Sequence, residues 1–346
     1  MNPEPLPGEV GAASDGAYTQ MVEFIYGYAV SQTIRAFAEL RIADHLGGGP
    51  VSAQDIASRE DASPIFVGRL LRAGTALGLT VAVDDAVYAG TDVLATLRVD
   101  HPRSLRAQAL SFTSEPMWKA WSQFVPTIRT GSTQAHLALG EDFFTYLGRH
   151  PEHGANFSAA MSSATAVWSD NITDVLDTSS VQCAVDVGGA TGALLRRLQV
   201  ANPALKGVVF DQPQVLDMAR SETAAEGFPS RTDFFAGDFF DTAPVGDLYL
   251  LKFILHDWDD ERCIEVLRRC REAMLPGGRV VVIDFVWDAT NPSQVAAMSD
   301  VSMMLFLTGH ERTLDEFDAL FAAAGLRRTS VRPTRLPQFV IEAVAI

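Results

Sequence analysis

The sequence predicts an α/β protein in which a helical N-terminal part precedes a mostly parallel sheet covered by helices on both faces. Three observations carry this reading. Apolar residues recur at helical spacing through most of residues 18–176. After Val181 the rhythm changes to short apolar strands alternating with helices. Residues 184–198, "AVDVGGATGALLRRL", run from strand through a glycine turn into a helix. Strand, tight turn and helix in succession form the entry unit of a doubly wound sheet, which holds ligands at the C-terminal ends of its strands.

Residues 1–17 are Pro, Gly, Ala and acid, with no basic start and no apolar core, and read as a disordered tail rather than a secretory signal. A cytoplasmic location is therefore expected. Within residues 18–102, Val22, Ile25, Tyr26, Ile34 and Phe37 mark one or two helices that stop at Gly47-Gly48-Gly49-Pro50. Ser52 is expected to cap the next helix. Pro64 opens another, with Phe66, Leu70, Leu71 and Leu77 on its buried side. The alternating "TVAVDDAVYAGT" then adds a hairpin, and the whole has the pattern of a winged helix.

Residues 103–178 are again helical and carry many large side chains. Most are expected in the core, while Phe157, Met161 and Trp168, at i, i+4 and i+11, share nearly one face that suits a flat apolar pocket. Residues 179–346 supply the sheet, with strands expected at "CAVDVG", "GVVFD", "TDFFAGD", "DLYLLKFI", "GRVVVIDF" and "QFVIEAVAI".

Forty-three acidic against 27 basic residues leave a formal net charge of −16, which repels nucleic-acid phosphates and anionic lipid. The winged-helix part lacks a basic recognition helix, so neither nucleic acid nor membrane is an expected partner. Arg327, Arg328, Arg332 and Arg335 are interrupted by polar residues and proline and read as a solvated face. No apolar run reaches the roughly 18 residues that cross a bilayer. Cys183, Cys263 and Cys270 have no C-x-x-C spacing and are expected as small buried hydrophobes; no metal-ligand spacing is present, and no metal is expected.

The glycine turn excludes two common ligands. A dinucleotide fingerprint starting at Gly188 needs glycine at 190 and 193, where this chain has alanine, and no Gly-Lys-Ser/Thr follows to make a phosphate loop. What remains is Asp186, Gly188 and Gly192 in the spacing D-x-G-x-x-x-G. Further acids close later strands, Asp211 in "GVVFD" and Asp238 in "FFAGDFF", and residues 251–261 read "LKFILHDWDDE".

The segment "VDVGGATGALL" resembles the glycine-rich motif of class I S-adenosylmethionine-dependent methyltransferases. "LHDW" resembles the signature of the small-molecule O-methyltransferases of plant and bacterial natural-product pathways, and "REAMLPGGRVVVIDF" and "GHERTLDEFDALFAAAGL" match that family's closing segments. The resemblance covers residues 18–346. It implies a Rossmann-like class I methyltransferase sheet and an N-terminal winged-helix dimerisation domain that forms a homodimer. It also implies S-adenosyl-L-methionine as methyl donor, S-adenosyl-L-homocysteine as product, and a small aromatic acceptor. By motif position it assigns the turn to Asp186, Gly188 and Gly189, the ribose hydroxyls to Asp211, the adenine to Gly237, Asp238, Phe239 and Trp258, and the cofactor's carboxylate side to Lys252. Ala190 stands where the family has glycine. Alanine does not favour the positive φ open to glycine, so a slightly narrowed turn is expected.

A phenol with pKa near 10 is mostly neutral at pH 7, whereas its phenolate attacks a sulfonium methyl far better, so a histidine is wanted as general base. His256, just after a strand at the open end of the sheet, is that candidate. The acids that follow, Asp257, Asp259, Asp260 and Glu261, read as first-turn helix caps. The resemblance implies two carboxylates flanking the histidine: Glu311 matches directly, and Asp284 is one methylene shorter than the family's glutamate. It places Met117, Trp121, Met161 and Met303, with Phe157 from the helical face above, in the substrate pocket. The expected function is O-methylation of a hydroxyl, phenolic in the favoured case, on a small aromatic or polyketide-type secondary metabolite. Transfer to nitrogen or carbon, and reuse of fold and cofactor without methyl transfer, are the alternatives.

Overall fold

The computed structural model describes residues 15–168, 172–217, 220, 231–335 and 337–346. It contains two compact units, Met1–Val99 and Asp100–Ile346.

In the first unit the helices Asp15–Glu39, Ile42–Leu46, Ala53–Arg59 and Pro64–Ala76 accompany three antiparallel strands, β1 (Val51–Ser52), β2 (Thr80–Asp84) and β3 (Val87–Gly90), in the order β1-β3-β2. Ser52 caps its helix as expected, its hydroxyl accepting from the Asp55 N–H at 3.0 Å. The buried face of Pro64–Ala76 differs from expectation. It is Val67, Leu71 and Gly74, whereas Phe66 and Leu77 are 65% and 40% exposed and Leu70 is half-buried. The reason is a close approach. A Cβ on Gly74 would lie 2.3 Å from the Phe37 ring, so the fully buried Phe37 seats on that glycine and fixes which side turns inward. The helix Asp15–Glu39 buries only Phe37 and Ala38; Val22, Ile25 and Tyr26 are exposed within the chain.

Among the described residues, the second unit is built on seven strands in the order β6-β5-β4-β7-β8-β10-β9. These are β4 (Cys183–Val187), β5 (Lys206–Asp211), β6 (Thr232–Ala236), β7 (Gly246–Lys252), β8 (Met274–Phe285), β9 (Leu326–Pro333) and β10 (Gln338–Ala345). The first five run parallel, and β10 is antiparallel to both β8 and β9. Alternate residues face opposite helical layers: Val185, Tyr249, Val280 and Val282 pack with Val266 and Phe317, while Ala184, Leu250, Val281 and Ile283 pack with Leu194 and Leu198. Each such buried Val, Leu, Ile or Phe side chain stabilises by about 1.5–3 kcal/mol, which is why these strands read as nearly continuous apolar runs.

Strand β9 was not foreseen. Its sequence, LRRTSVRP, lacks apolar alternation because it is an edge strand, and edges carry charge that discourages further pairing. The solvated basic face expected here is charge-paired: Arg328 pairs with Asp318, Arg332 with Glu342, and Arg335 with Asp174 at 3.5 Å. Cys263 and Cys270 are buried as expected, and Cys183 is half-buried.

Candidate active site

The C-terminal ends of β4, β5, β6 and β7 converge on one site. After β4 the chain turns through Gly188 (φ +64°), Ala190 (φ +48°) and Gly192 (φ +68°) before the helix Ala193–Ala201 begins. A Cβ on Gly188 would stand 2.4 Å from Ile254 Cδ1, and one on Gly189 would stand 2.7 Å from the Asp186 carboxyl carbon, so both positions require glycine. Ala190 departs from the expected avoidance of positive φ. Its left-handed backbone costs about 1–2 kcal/mol, and what holds it is a hydrogen bond from its N–H to Asp211 Oδ2 at 2.9 Å. The other oxygen of Asp211 accepts from the Gln212 N–H at 2.7 Å, which fixes the carboxylate at the end of β5.

Asp186 is buried, and its Oδ2 has no hydrogen-bond partner; burial pushes the carboxyl up to about 7. On β7, burial pulls the Lys252 ammonium down to about 8 while Asp186 and Asp284 oppose the shift, and its Nζ donates to Thr165 Oγ1 at 3.0 Å. An orphaned carboxylate oxygen and a desolvated ammonium in one pocket suit a zwitterion such as an amino-acid group. Beyond β6, Phe239 stacks edge-on to Phe240 at 4.8 Å, and Trp258 lies 4.9 Å from Phe240 and 6.2 Å from Phe239. The Gly237 N–H donates to the Asp211 carbonyl at 3.1 Å. Asp238 is exposed, its carboxylate accepting from the Phe240 N–H at 2.9 Å.

His256 lies in a short 3-10 turn, Leu255–Asp257, and is 8% exposed. Its Nδ1 is 2.8 Å from Glu311 Oε1 and 3.5 Å from Asp284 Oδ1, and its Nε2 is 3.5 Å from Asp257 Oδ1. Burial disfavours the imidazolium, but Asp284, Glu311 and Asp257 together outweigh it and raise His256 to about 10. Burial raises Asp284 to about 7 and Asp257 to about 6. The shorter Asp284 thus stands within ion-pair reach, while Glu311 makes the direct hydrogen bond. Among the described residues, His256, Asp284 and Glu311 form the group whose ligand atoms, within 4.8 Å of one another, approach metal-site spacing. The 2.8 Å contact is the length of a proton-bridged pair; two ligands of one tetrahedral metal at about 2.0–2.2 Å would stand about 3.4 Å apart.

Residues 121–327 match the model of the O-methyltransferase domain, and residues 22–100 match that of the O-methyltransferase dimerisation domain. The chain belongs to the O-methyltransferase family. It is 33% identical over 324 residues to the phenazine O-methyltransferase PhzM of Lysobacter antibioticus, covering 93% of this chain and 95% of that one. It is 35% identical to the O-demethylpuromycin-O-methyltransferase of Streptomyces alboniger, over 97% and 91% of the two chains. The structure of human N-acetylserotonin methyltransferase in complex with S-adenosylmethionine matches with a TM-score of 0.90 at 27% identity, over 97% of this chain and 99% of that one. This O-methyltransferase accordingly uses S-adenosylmethionine.

The O-methyltransferase places its expected acceptor-side residues unevenly. Met117 is buried with Phe143 and Leu147 in a cluster that Phe157, Phe306 and Phe144 join, and Trp121 meets Phe306 edge-on at 6.4 Å. Met161 and Met303 are half-buried and stand outside that cluster. Met161 lies one turn before Thr165, the partner of Lys252, and Met303 one turn beyond Ser299, which donates to Glu311 at 2.5 Å. A further bond, Ser162 to Thr191 at 2.9 Å, ties the helix Pro151–Trp168 to the glycine turn. The Trp168 side chain lies outside the described residues.

Several residues of the site escaped the sequence reading. Asp259 is the expected cap, accepting from the Arg262 N–H, but Asp257 caps nothing and faces the imidazole instead. The guanidinium of Arg312 is fully buried; it donates to the carbonyls of Leu255 at 2.7 Å and Trp258 at 2.8 Å, and pairs with Asp260. Gly309 lets the backbone through, since a Cβ there would come within 2.1 Å of the His256 carbonyl. The visible signal was the position of both within "GHERT", beside Glu311.

Proposed function

We propose that this enzyme methylates a phenolic hydroxyl of a small aromatic or polyketide-type natural product, with His256 as general base. The observation that carries the reading is the buried His256, held through Nδ1 by Glu311 and Asp284, so that Nε2, faced by Asp257 at 3.5 Å, is the nitrogen that takes the acceptor proton. The relatives' acceptors, phenazine and demethylpuromycin by name, support an aromatic ring. S-adenosylmethionine, when bound, supplies an electrophilic methyl on a sulfonium.

The residues divide the remaining work. Asp186 and Lys252 hold the amino-acid end of the cofactor, where the orphaned Asp186 oxygen and the Lys252 ammonium find opposite charges. Asp211 accepts the ribose hydroxyls, and Gly237, Asp238, Phe239 and Trp258 receive the adenine. Gly188 and Gly189 keep the turn free of side chains. Met117, Trp121, Phe157, Met161 and Met303 bound the acceptor and exclude water. Rate then comes from aligning oxygen, methyl and sulfur and from the proton on His256. With a folded pKa of about 10, the imidazole of the free enzyme is mostly protonated at pH 7. Imidazolium beside phenolate carries the same proton count as imidazole beside phenol, so kcat/KM climbs with pH toward that value.

By the same proposal residues 18–102 form the dimerisation domain, residues 103–178 the pocket segment and residues 179–346 the cofactor-binding domain. The exposed Tyr18, Phe24, Ile25 and Tyr28, on a helix inside the dimerisation match, support a homodimer. A cytoplasmic location is part of the proposal; among the described residues no helix is long and apolar enough to cross a membrane.

The test is incubation with methyl-labelled cofactor and a panel of phenols, comparing wild type with His256→Ala. We expect labelled ether from the wild type and a loss of about 10²–10⁴-fold in the variant. Equal labelling would remove His256 as base. Label on nitrogen or carbon, read by fragmentation, or product formed with the cofactor unconsumed, would overturn the O-methylation of the phenol.

A further inference from the structure

Phe253 departs from what its sequence position allows. It follows the last residue of β7, and its N–H still donates to the Ile283 carbonyl at 3.1 Å, as though the strand continued. Yet its φ is +54°, in the left-handed region that a bulky side chain avoids. A glycine or asparagine would make this strand exit with less strain, so something about the ring compensates. The ring is stacked with the His256 imidazole, centroids 5.1 Å apart and planes 19° from parallel. The Lys252 ammonium lies over the same ring at 4.3 Å, and Phe285 supports it at 5.1 Å.

We propose that Phe253 is a positioning residue, whose strained backbone sets one aromatic ring to hold both the base His256 and the cofactor-binding Lys252. The idea rests on the reading of His256 as base. Its physics is that of a cation against a π-face: the ring's negative quadrupole favours imidazolium over imidazole while fixing its plane. The groups facing His256 are Glu311, Asp284 on β8, and Asp257 of its own turn; those facing Lys252 are Asp186 on β4, Asp284 and Thr165. Every charge among them is anionic. Phe253 therefore supplies a neutral surface that can press on both cations without adding a further buried carboxylate.

The experiment compares the pH dependence of kcat/KM for wild type, Phe253→Leu, and protein carrying pentafluorophenylalanine at 253, which keeps the ring's shape and reverses its quadrupole. We expect Phe253→Leu to lose about tenfold or more in kcat, through misplacement of His256. In both altered proteins the acid limb should move about half a pH unit lower, because losing the cation–π contact lowers the imidazolium pKa. Calorimetry with S-adenosylhomocysteine should give weaker binding for Phe253→Leu. A limb unmoved in the fluorinated protein, or kcat within twofold of wild type in a folded Phe253→Leu protein, would overturn the proposal and leave Phe253 as packing. His256→Ala separates the two readings: full activity in that variant defeats the general-base assignment whatever position 253 does.

Discussion

Ala190 and Gly309 show how a single Cβ decides geometry at this site. Ala190 carries a methyl at φ +48° and is held there by the Asp211 carboxylate. Replacing it by glycine removes the left-handed strain but frees the unfolded chain, two effects of opposite sign with the strain the larger. We expect Ala190→Gly to stabilise by up to about 1 kcal/mol with cofactor affinity retained; a lower melting temperature in a thermal scan would contradict this. Gly309 is the reverse case. A Cβ there meets the backbone of His256 at 2.1 Å and of Trp258 at 2.5 Å, and backbone cannot rotate away. Gly309→Ala should displace the His256 turn and cut kcat by about 10²-fold, with a smaller change in acceptor KM, as steady-state kinetics will read. At Glu311 the consequence is electrostatic. Glu311→Gln removes a negative charge 2.8 Å from Nδ1, so the raised pKa of His256 falls. The acid limb of kcat/KM then moves to lower pH while the maximal rate drops; a limb that stays put would remove the pair's electrostatic role.

At the scale of the element, the turn Leu255–Asp257 is too short to hold itself. Arg312 grips its carbonyls on both sides, and the Cys263 thiol reaches the same two carbonyls at 3.1 and 3.4 Å. The grip lies next in sequence to Glu311, so one segment positions both the side chain and the backbone of His256. Arg312→Met leaves two buried carbonyls short of a donor and an Asp260 without its partner. We expect a loss of about 1–3 kcal/mol in denaturant unfolding, and Asp260→Asn, which keeps the guanidinium in place, should cost much less. Comparable losses in the two variants would mean the ion pair, and not the carbonyl grip, supplies the stability.

For the whole molecule, the apolar helix Asp15–Glu39 is the feature whose energetics the single chain leaves open. Phe24 is 64% exposed and Ile25 is 61% exposed, and a contiguous apolar surface of this kind is stable in water when covered. Phe24→Glu with Ile25→Glu should convert the proposed homodimer to monomer in light scattering; an unchanged mass would exclude this helix from the interface.

What the sequence determined by itself was the succession of β4 to β8 and β10 in the sheet unit, and the residues that stand at the C-terminal ends of β4 to β7. Buried parallel strands write themselves as apolar runs, and acids at their ends repeat at the crossover spacing, so Asp186, Asp211, Asp238, Lys252 and His256 were legible from pattern and resemblance. Edge strand β9 was not legible, because a strand paired on one side needs no apolar alternation. Nor was the buried phase of Pro64–Ala76, which depends on where the Phe37 ring comes to rest against Gly74. Only the tertiary structure decided the left-handed backbones of Ala190 and Phe253, the turn of Asp257 toward the imidazole, and the Arg312 grip. Each arises from a partner distant in sequence that compensates a local cost, and no local pattern of residues records such a partner.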